Sequence, residues 1–434
     1  MSGLLIASPA SGAGKTTVTL GLLRALKRRG ANVVPGKAGP DYIDPAFHAA
    51  ASGTNCLNYD PWGMRRDLIL ANAAVATGGG GLLVVEAMMG LFDAAADGQG
   101  AAASVASLLK LPVVFVVDCS KLSHSIAPLV RGYAQFDPNV IIAGVILNNV
   151  GSDRHEKMLR DALAQIGMEV FGAILREEGL TVPERHLGLT QASEHDNLEA
   201  FISKAAERVE TGCDLERIVN AASLLGKPET VSNIERLPPP GQNIAIAKDA
   251  AFSFCYDHMM LGWRRRGAEI SFFSPLADEG PSEKCDAIYL PGGYPELHGE
   301  RLANADGFRA AMQKAADRKI FIYGECGGYM VLGDRLIDGD GKKHAMLGLL
   351  PHTTSFATRK LHLGYRRIRA RNGFFWDLPM TGHEFHYASI VEERGGEALF
   401  DVRDAVGNDL GHAGLQAGSV AGSFIHIIDR ADLE

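Results

Sequence analysis

The chain has 434 residues, enough for two or three domains that each bury a core of their own. Hydrophobic residues make up 46% and charged residues 22%, an ordinary globular composition. The 43 Lys and Arg against 51 Asp and Glu leave a formal net charge of −8, which disfavours a nucleic-acid surface.

Met1-Ser2-Gly3 carries no basic segment, and Leu4–Ala7 is too short for the apolar centre of a leader peptide. The longest apolar runs fall far below the roughly 20 residues that cross a bilayer, so no membrane partner is expected. Six cysteines, at positions 56, 119, 213, 255, 285 and 326, are scattered without a Cys-x-x-Cys pair. Neither a zinc site nor a disulfide framework is expected, and a reducing cytoplasm is the expected location.

Short apolar runs at Leu4–Ala7, Val33–Val34, Leu82–Val85, Val113–Val117, Ile141–Leu147 and Val170–Ile174 read as buried strands. Helical patterns at Val18–Arg29, Asp67–Ala76, Ala101–Leu109 and His155–Ile166 alternate with them. Such alternation predicts a parallel sheet with helices on both faces. The stretch Leu198–Leu225 is helical in pattern and stops at Gly226-Lys227-Pro228. The triple proline in Leu237-Pro238-Pro239-Pro240-Gly241 favours an extended, stiff segment. We therefore expect a first domain over residues 1–235, a Pro-rich linker over 236–241 and a second domain over 242–434. Ile244–Ala247, Ile270–Phe273, Ala287–Leu290 and Ile320–Tyr323 are its expected strands. The basic triplets Lys27-Arg28-Arg29 and Arg264-Arg265-Arg266 sit where helices should end, matching the negative end of the helix dipole.

The first strand runs into Ser11-Gly12-Ala13-Gly14-Lys15-Thr16-Thr17, a glycine-rich turn that opens a helix. Backbone N–H groups of such a loop surround phosphates, a lysine neutralises them and a hydroxyl reaches Mg²⁺. Pro9 stands where the usual pattern has glycine, so a plain glycine-rich connection is the competing reading. Gly12, Gly14, Lys15, Thr16 and Thr17 are the expected ATP contacts. Two acidic clusters follow later strands: Asp41 and Asp44 in Gly39-Pro40-Asp41-Tyr42-Ile43-Asp44-Pro45, and Glu86 with Asp93 in Val84–Asp93. Carboxylates at the carboxyl ends of parallel strands are placed to meet Mg²⁺ and a phosphorylated substrate. Thr16, Glu86 and Asp41 are the expected metal ligands; Lys37, Asp44 and Asp93 are expected at the phosphate-bearing substrate. Aspartates in Pro/Gly loops also serve simply as turn formers. Asn148, ending a strand, is expected at an adenine edge, with a structural cap as the alternative.

In Lys319–Met330 an apolar run ends in Gly324-Glu325-Cys326-Gly327-Gly328, a strand-to-helix turn that presents an exposed thiol. A thiol nucleophile needs a base and an oxyanion site. His426, within Ser423-Phe424-Ile425-His426, is either that base or a core histidine. Gly292 and Gly293, in Leu290-Pro291-Gly292-Gly293-Tyr294, with Gly327 are the expected oxyanion site, a glycine turn being the plain alternative.

Tyr-Gly-Glu-Cys-Gly-Gly-Tyr-Met, Leu-Pro-Gly-Gly-Tyr-Pro-Glu, Ser-Phe-Ile-His and Gly382-His383-Glu384-Phe385-His386-Tyr387 resemble class I glutamine amidotransferase domains of the cobalamin pathway. Ser-Gly-Ala-Gly-Lys-Thr-Thr with Gly-Pro-Asp-Tyr-Ile-Asp-Pro resembles the dethiobiotin-synthetase-like ATP domain. Together, over nearly the whole chain, they resemble the cobyrinic or hydrogenobyrinic acid a,c-diamide synthase family. The resemblance implies a P-loop NTPase-like domain followed by a class I amidotransferase domain, each a mainly parallel α/β sheet. It implies a ligase with Cys326 and His426 catalytic, ATP and Mg²⁺ at the first domain, and glutamine and a corrinoid as partners. A homodimer is held open as the assembly. Triad amidotransferases carry Glu two residues after the histidine; here that residue is Ile428, and Asp429 is the one nearby carboxylate along the chain. A nickel-sirohydrochlorin a,c-diamide synthase, another tetrapyrrole amidase and a non-catalytic ATP-binding regulator are the other readings.

Overall fold

The computed structural model describes residues 2–177, 184–185, 188–189, 191–194, 197–224, 234–371 and 373–432. The stretch expected to be helical over Leu198–Leu225 is two helices, Leu198–Gly212 and Leu215–Asn220, followed by a short strand Ser223–Leu224; Leu225 and the Gly226-Lys227-Pro228 stop lie outside the described residues. The chain divides into two compact units, Met1–Ile234 and Glu235–Glu434.

The first unit alternates strand and helix: β1 Ser2–Ala7, α1 Lys15–Arg28, β2 Val33–Ala38, α2 Asp44–Ser52, β3 Leu57–Tyr59, α3 Arg66–Ala76, β4 Leu82–Glu86, α4 Ala102–Leu109, β5 Val113–Asp118, α5 Ile126–Phe136, β6 Ile142–Val150, α6 Asp153–Ala164, β7 Val170–Leu175 and α7 Leu198–Gly212. The seven strands pair in parallel in the order β3-β2-β4-β1-β5-β6-β7, and the short strand Ser223–Leu224 adds to β1 antiparallel. Central strands are buried on both faces, hence their continuous apolar runs: Leu4, Leu5, Ile6, Val84, Val85, Val114 and Phe115 have no exposed surface. Helix α1 starts three residues before its apolar pattern, because Gly14 at a φ of 84° caps it in a left-handed conformation. Its last turn carries Lys27 and Arg28, as the dipole favours. Strand β3 and helices α2 and α5 lie beyond the sequence expectation. In α2, Pro45 sits in the first turn, where a missing N–H costs nothing; Pro128 does the same in α5.

In the second unit five strands run parallel in the order Glu269–Phe273, Asn243–Ala247, Ala287–Leu290, Phe321–Glu325 and Val420–Ser423. The sheet then continues antiparallel through Asp409–Ala417, Glu397–Asp404, His362–Ala370, Pro379–His386 and His426–Arg430. Parallel pairing, expected for most of the sheet, holds for the part that bears Cys326, and the other half of the sheet is antiparallel. The antiparallel half also curls. Five inter-strand steps span about 24 Å if flat, whereas the chain from Ser423 to His426 reaches only about 10 Å. The last strand is thereby brought back beside the first of that series, which delivers His426 toward Cys326. The triple proline packs onto this unit: Leu237 is buried and Pro238 O accepts from Trp376 Nε1 at 2.9 Å.

Helix α7 lies against α1 where Gly21 leaves room. A Cβ at Gly21 would stand 2.5 Å from Ala205 O and 2.7 Å from Val209 Cγ2. Since a helix backbone cannot yield like a flexible side chain, Gly21→Val should cost about 1–3 kcal/mol. A lowered first midpoint in thermal unfolding is expected; an unchanged midpoint would show that the two helices are not tightly packed.

Candidate functional site

In the first unit, the carboxyl ends of β1, β2 and β4 gather one ionic network. Lys37 Nζ, on β2, contacts Asp44, lies 2.8 Å from Glu86 Oε1 and 3.6 Å from Asp41 Oδ2. Thr16 Oγ1 donates to Glu86 Oε1 at 2.9 Å, and His48 Nε2 lies 2.8 Å from Glu86 Oε2. Burial opposes the charge on Lys37, but Asp44, Glu86 and Asp41 together hold its pKa well above the ordinary value. Burial likewise opposes the Glu86 carboxylate, and Lys37 with His48 outweighs it, keeping that group well below the usual range. Asp44 fares differently: burial, reinforced by Asp41, carries it up to about 7 despite Lys37. One lysine serves three carboxylates, and Glu86 has His48 as a further partner.

The glycine-rich loop surrounds the neighbouring space. Gly12 and Gly14 both take positive φ, 78° and 84°. Lys15 Nζ donates to Ser8 Oγ at 2.9 Å and Ala10 O at 3.3 Å, and burial pulls its pKa down to about 8. Thr17 lines, with Gly12, Gly14, Asn148 and Asn149, a cavity of about 130 Å³. Asn148 Nδ2 donates to Ala13 O at 2.9 Å, so its amide braces the loop as well as facing that cavity. Asp41 Oδ1 accepts from the N–H groups of Ile43 and Asp44, at 2.8 and 3.1 Å, a turn-forming job. Asp93 is exposed and closes its own loop by accepting from Gly90 N–H at 2.8 Å, while Leu91 N–H bonds to Ser8 O beside the glycine loop.

In the second unit, Cys326 takes φ 46° and ψ −103°, a strained position for a residue with a Cβ, between Phe321–Glu325 and the helix Gly327–Leu332. Its N–H donates to Ser423 O at 2.8 Å, which ties the turn to the strand that precedes His426. The thiol is not exposed as the turn suggested: Cys326 is 1% accessible. Burial, then Glu296, pushes the thiol pKa up, while the Gly327 N–H works the other way. Gly292 lies between the two expected partners. A Cβ there would come 3.0 Å from His426 Nε2 and 3.3 Å from Cys326 Cβ, so only glycine leaves that space open. A Cβ on Gly327 would stand 2.9 Å from Gly293 N, which places the two glycine backbones side by side. Burial pushes His426 down to about 3, so its ring is neutral.

Several neighbours were not foreseen from the sequence. His48 shares a face of α2 with Asp44, four residues earlier, a spacing that was visible once α2 was a helix. Glu384, in the Gly-His-Glu-Phe-His-Tyr segment, accepts from Arg366 Nη2 at 2.7 Å and faces His386 Nε2 at 2.9 Å. Arg366 and His386 hold it down to about 2 against the opposing effect of burial. His386 stacks on His362 and on Phe424, with ring centroids 4.7 and 3.9 Å apart. His362, Glu384, His386 and Phe424 line a pocket of about 520 Å³ together with Lys360 and His412. Glu325, beside the cysteine, lies with Oε2 3.6 Å from His426 Nδ1.

Comparison with known proteins bears on both halves. Residues 4–189 match a family described as the CobQ/CobB/MinD/ParA nucleotide binding domain, and residues 243–432 match the CobB/CobQ-like glutamine amidotransferase domain. The hydrogenobyrinate a,c-diamide synthase of Rhizobium meliloti strain 1021 is 62% identical over 432 residues, covering 100% of each chain. That of Brucella abortus biovar 1 is 59% identical over 430 residues, 99% of each. That of Mesorhizobium japonicum is 48% identical over 438 residues, 99% of this chain and 98% of its own. With two domain matches in chain order and end-to-end identity at this level, the chain belongs to the hydrogenobyrinate a,c-diamide synthase family.

Proposed function

We propose that this chain amidates the a and c acetate side chains of hydrogenobyrinic acid, taking nitrogen from glutamine and driving force from ATP. The observation that carries the reading is the full-length identity of 59–62% to several synthases of that name. The described helices include none long and apolar enough to cross a membrane. We place the enzyme in the cytoplasm, where its six free cysteines stay reduced, and keep a homodimer as its assembly.

At the second unit, Cys326 Sγ forms a bond to the glutamine side-chain carbon as its proton passes to His426 Nε2. The Gly293 and Gly327 backbones face the developing oxyanion. The proton returns to nitrogen as ammonia leaves, and water then releases glutamate from the thioester. At the first unit, the γ-phosphoryl of ATP moves to an acetate oxygen and ADP leaves. Ammonia attacks the resulting acyl phosphate at carbon and displaces phosphate, forming the amide. Free carboxylate resists ammonia because its charge repels electron pairs and oxide is a poor leaving group; phosphorylation removes both obstacles. Two rounds give the diamide.

Lys15 and the loop N–H groups hold the phosphates. The hard oxygen donors of Thr16, Glu86 and Asp41 fit Mg²⁺, which would supply charge neutralisation at the phosphates when bound. Lys37 neutralises the carboxylates beside it, and Asp44 and Asp93 steer the substrate. Incubation with glutamine, Mg-ATP and hydrogenobyrinic acid should yield a species with two amides by mass spectrometry. No amide on hydrogenobyrinic acid, with product from a cobalt or nickel tetrapyrrole, would overturn the substrate assignment.

Three variants test the residues. Cys326→Ser should abolish glutamine-dependent amidation and leave ammonia-dependent amidation near the parent rate; glutamate release at the parent rate would remove Cys326 as nucleophile. Lys15→Ala should weaken ATP binding, and Glu86→Gln should lower amidation about 100-fold or more with either nitrogen source. Parental rates in both would leave them as structural residues. Asp93→Asn should let monoamide accumulate without loss of ATP affinity, as a carboxylate that repels misplaced acidic side chains would require. Weaker ATP binding with an unchanged product ratio would instead place Asp93 at the nucleotide.

A further inference from the structure

The base His426 needs a group that fixes its tautomer, and the chain position that supplies it in triad amidotransferases is Ile428 here. Asp429 lies three residues further along the strand His426–Arg430, past a register shift in its pairing with Pro379–His386. A carboxyl from another strand lies beside the imidazole. Glu325 is 1% accessible, with Oε2 3.6 Å from His426 Nδ1. The same oxygen accepts from Tyr289 O–H at 2.6 Å, and Oε1 accepts from Ile427 N–H at 3.1 Å. Its two donors thus leave one side of the carboxyl turned to the imidazole.

We propose that Glu325 is the positioning residue of the glutaminase site, holding His426 with Nδ1 protonated and Nε2 turned to Cys326. The inference rests on the reading of Cys326 and His426 as nucleophile and base. Adjacent residues in a strand ordinarily face opposite ways. The left-handed φ of Cys326 breaks that alternation, so Glu325 addresses one ring nitrogen while Cys326 lies toward the other. A separation of 3.6 Å is an electrostatic contact that a small closure over glutamine converts to a hydrogen bond. When the thiol proton arrives at Nε2, the imidazolium faces a carboxyl already held by two donors.

The surroundings favour pairing over separate charges. Titratable groups facing Glu325 are Tyr289, Tyr323, Cys255 and Cys326; those facing His426 include His383, His386, Glu384 and Tyr256. Burial pushes Glu325 up to about 8 and His426 down to about 3, so each resists ionising alone, and an ion pair compensates both. A buried carboxyl beside a nucleophile that must ionise is otherwise a liability, since it raises the thiol pKa.

Glu325→Gln tests this. A carboxamide N–H₂ facing Nδ1 favours the tautomer protonated at Nε2, which cannot accept the thiol proton. Glutaminase kcat should fall on the order of 10²–10⁴-fold, the range seen for carboxylates that orient a ligating or catalytic histidine, with KM for glutamine little changed. The acid limb of its pH profile should move to lower pH, because the imidazolium has lost its counter-charge. Tyr289→Phe keeps the carboxyl but removes a donor to its ionised form, so that limb should move to higher pH. Ammonia-dependent amidation by both variants reports an intact fold. Parental glutaminase rate and pH profile in Glu325→Gln would overturn the role of Glu325 while leaving Cys326 and His426 in place. Glutamine hydrolysis surviving in Cys326→Ser would overturn the reading beneath it and the proposal together.

Discussion

Charge buried inside an apolar sheet must be compensated where it stands, and the ammonium of Lys37 shows how far that requirement reaches. The side chain is almost inaccessible and sits at the end of β2, with Glu86 from β4 and Asp44 from α2 closing on it. An unpaired ion here would cost several kcal/mol. Removing any one partner therefore disturbs the others, which is why β2, α2 and β4 behave as one structural element. The network is also short of positive charge, since His48 and Lys37 face Asp41, Asp44 and Glu86. A site in this state favours a further cation or a proton.

The second unit meets the same constraint with neutral groups. Burial keeps the His426 ring uncharged and pushes the Cys326 thiol up, so the resting pair carries no net ion. The reaction proposed for this pair creates charge, which preorganised donors stabilise best in a dry site. Glycine backbones surround the pair closely. At Gly292 any side chain would fill the gap between thiol and imidazole; at Gly327 a Cβ would press on Gly293 N. Strain at Cys326 is held by the Ser423 O contact and by the helix that begins one residue later.

Much of this was legible in the amino-acid order. Buried parallel strands appear as unbroken apolar runs because both faces are covered, and the glycines stand out because Gly12 and Gly14 take left-handed φ while Gly292, Gly293, Gly324, Gly327 and Gly328 leave no room for a Cβ. The helix bearing Asp44 and His48 was hidden because its start, Asp-Pro after a Pro/Gly loop, has the composition of a turn. The curl of the second sheet was hidden as well, since antiparallel strands half exposed to solvent show only weak alternation.

By itself, then, the sequence determined the local geometry: which residues lie at strand ends, where a thiol is lifted from its backbone, and which loops are able to hold phosphate. Those features depend on neighbours a few positions apart, and covalent sterics settle them. Tertiary structure alone decided the partnerships. Glu86 meets His48 across 38 positions and Glu325 meets His426 across 101, because parallel crossovers and a closing sheet bring distant strands into register. Burial, which sets whether those groups ionise, is likewise a property of the assembled layers and of no single segment.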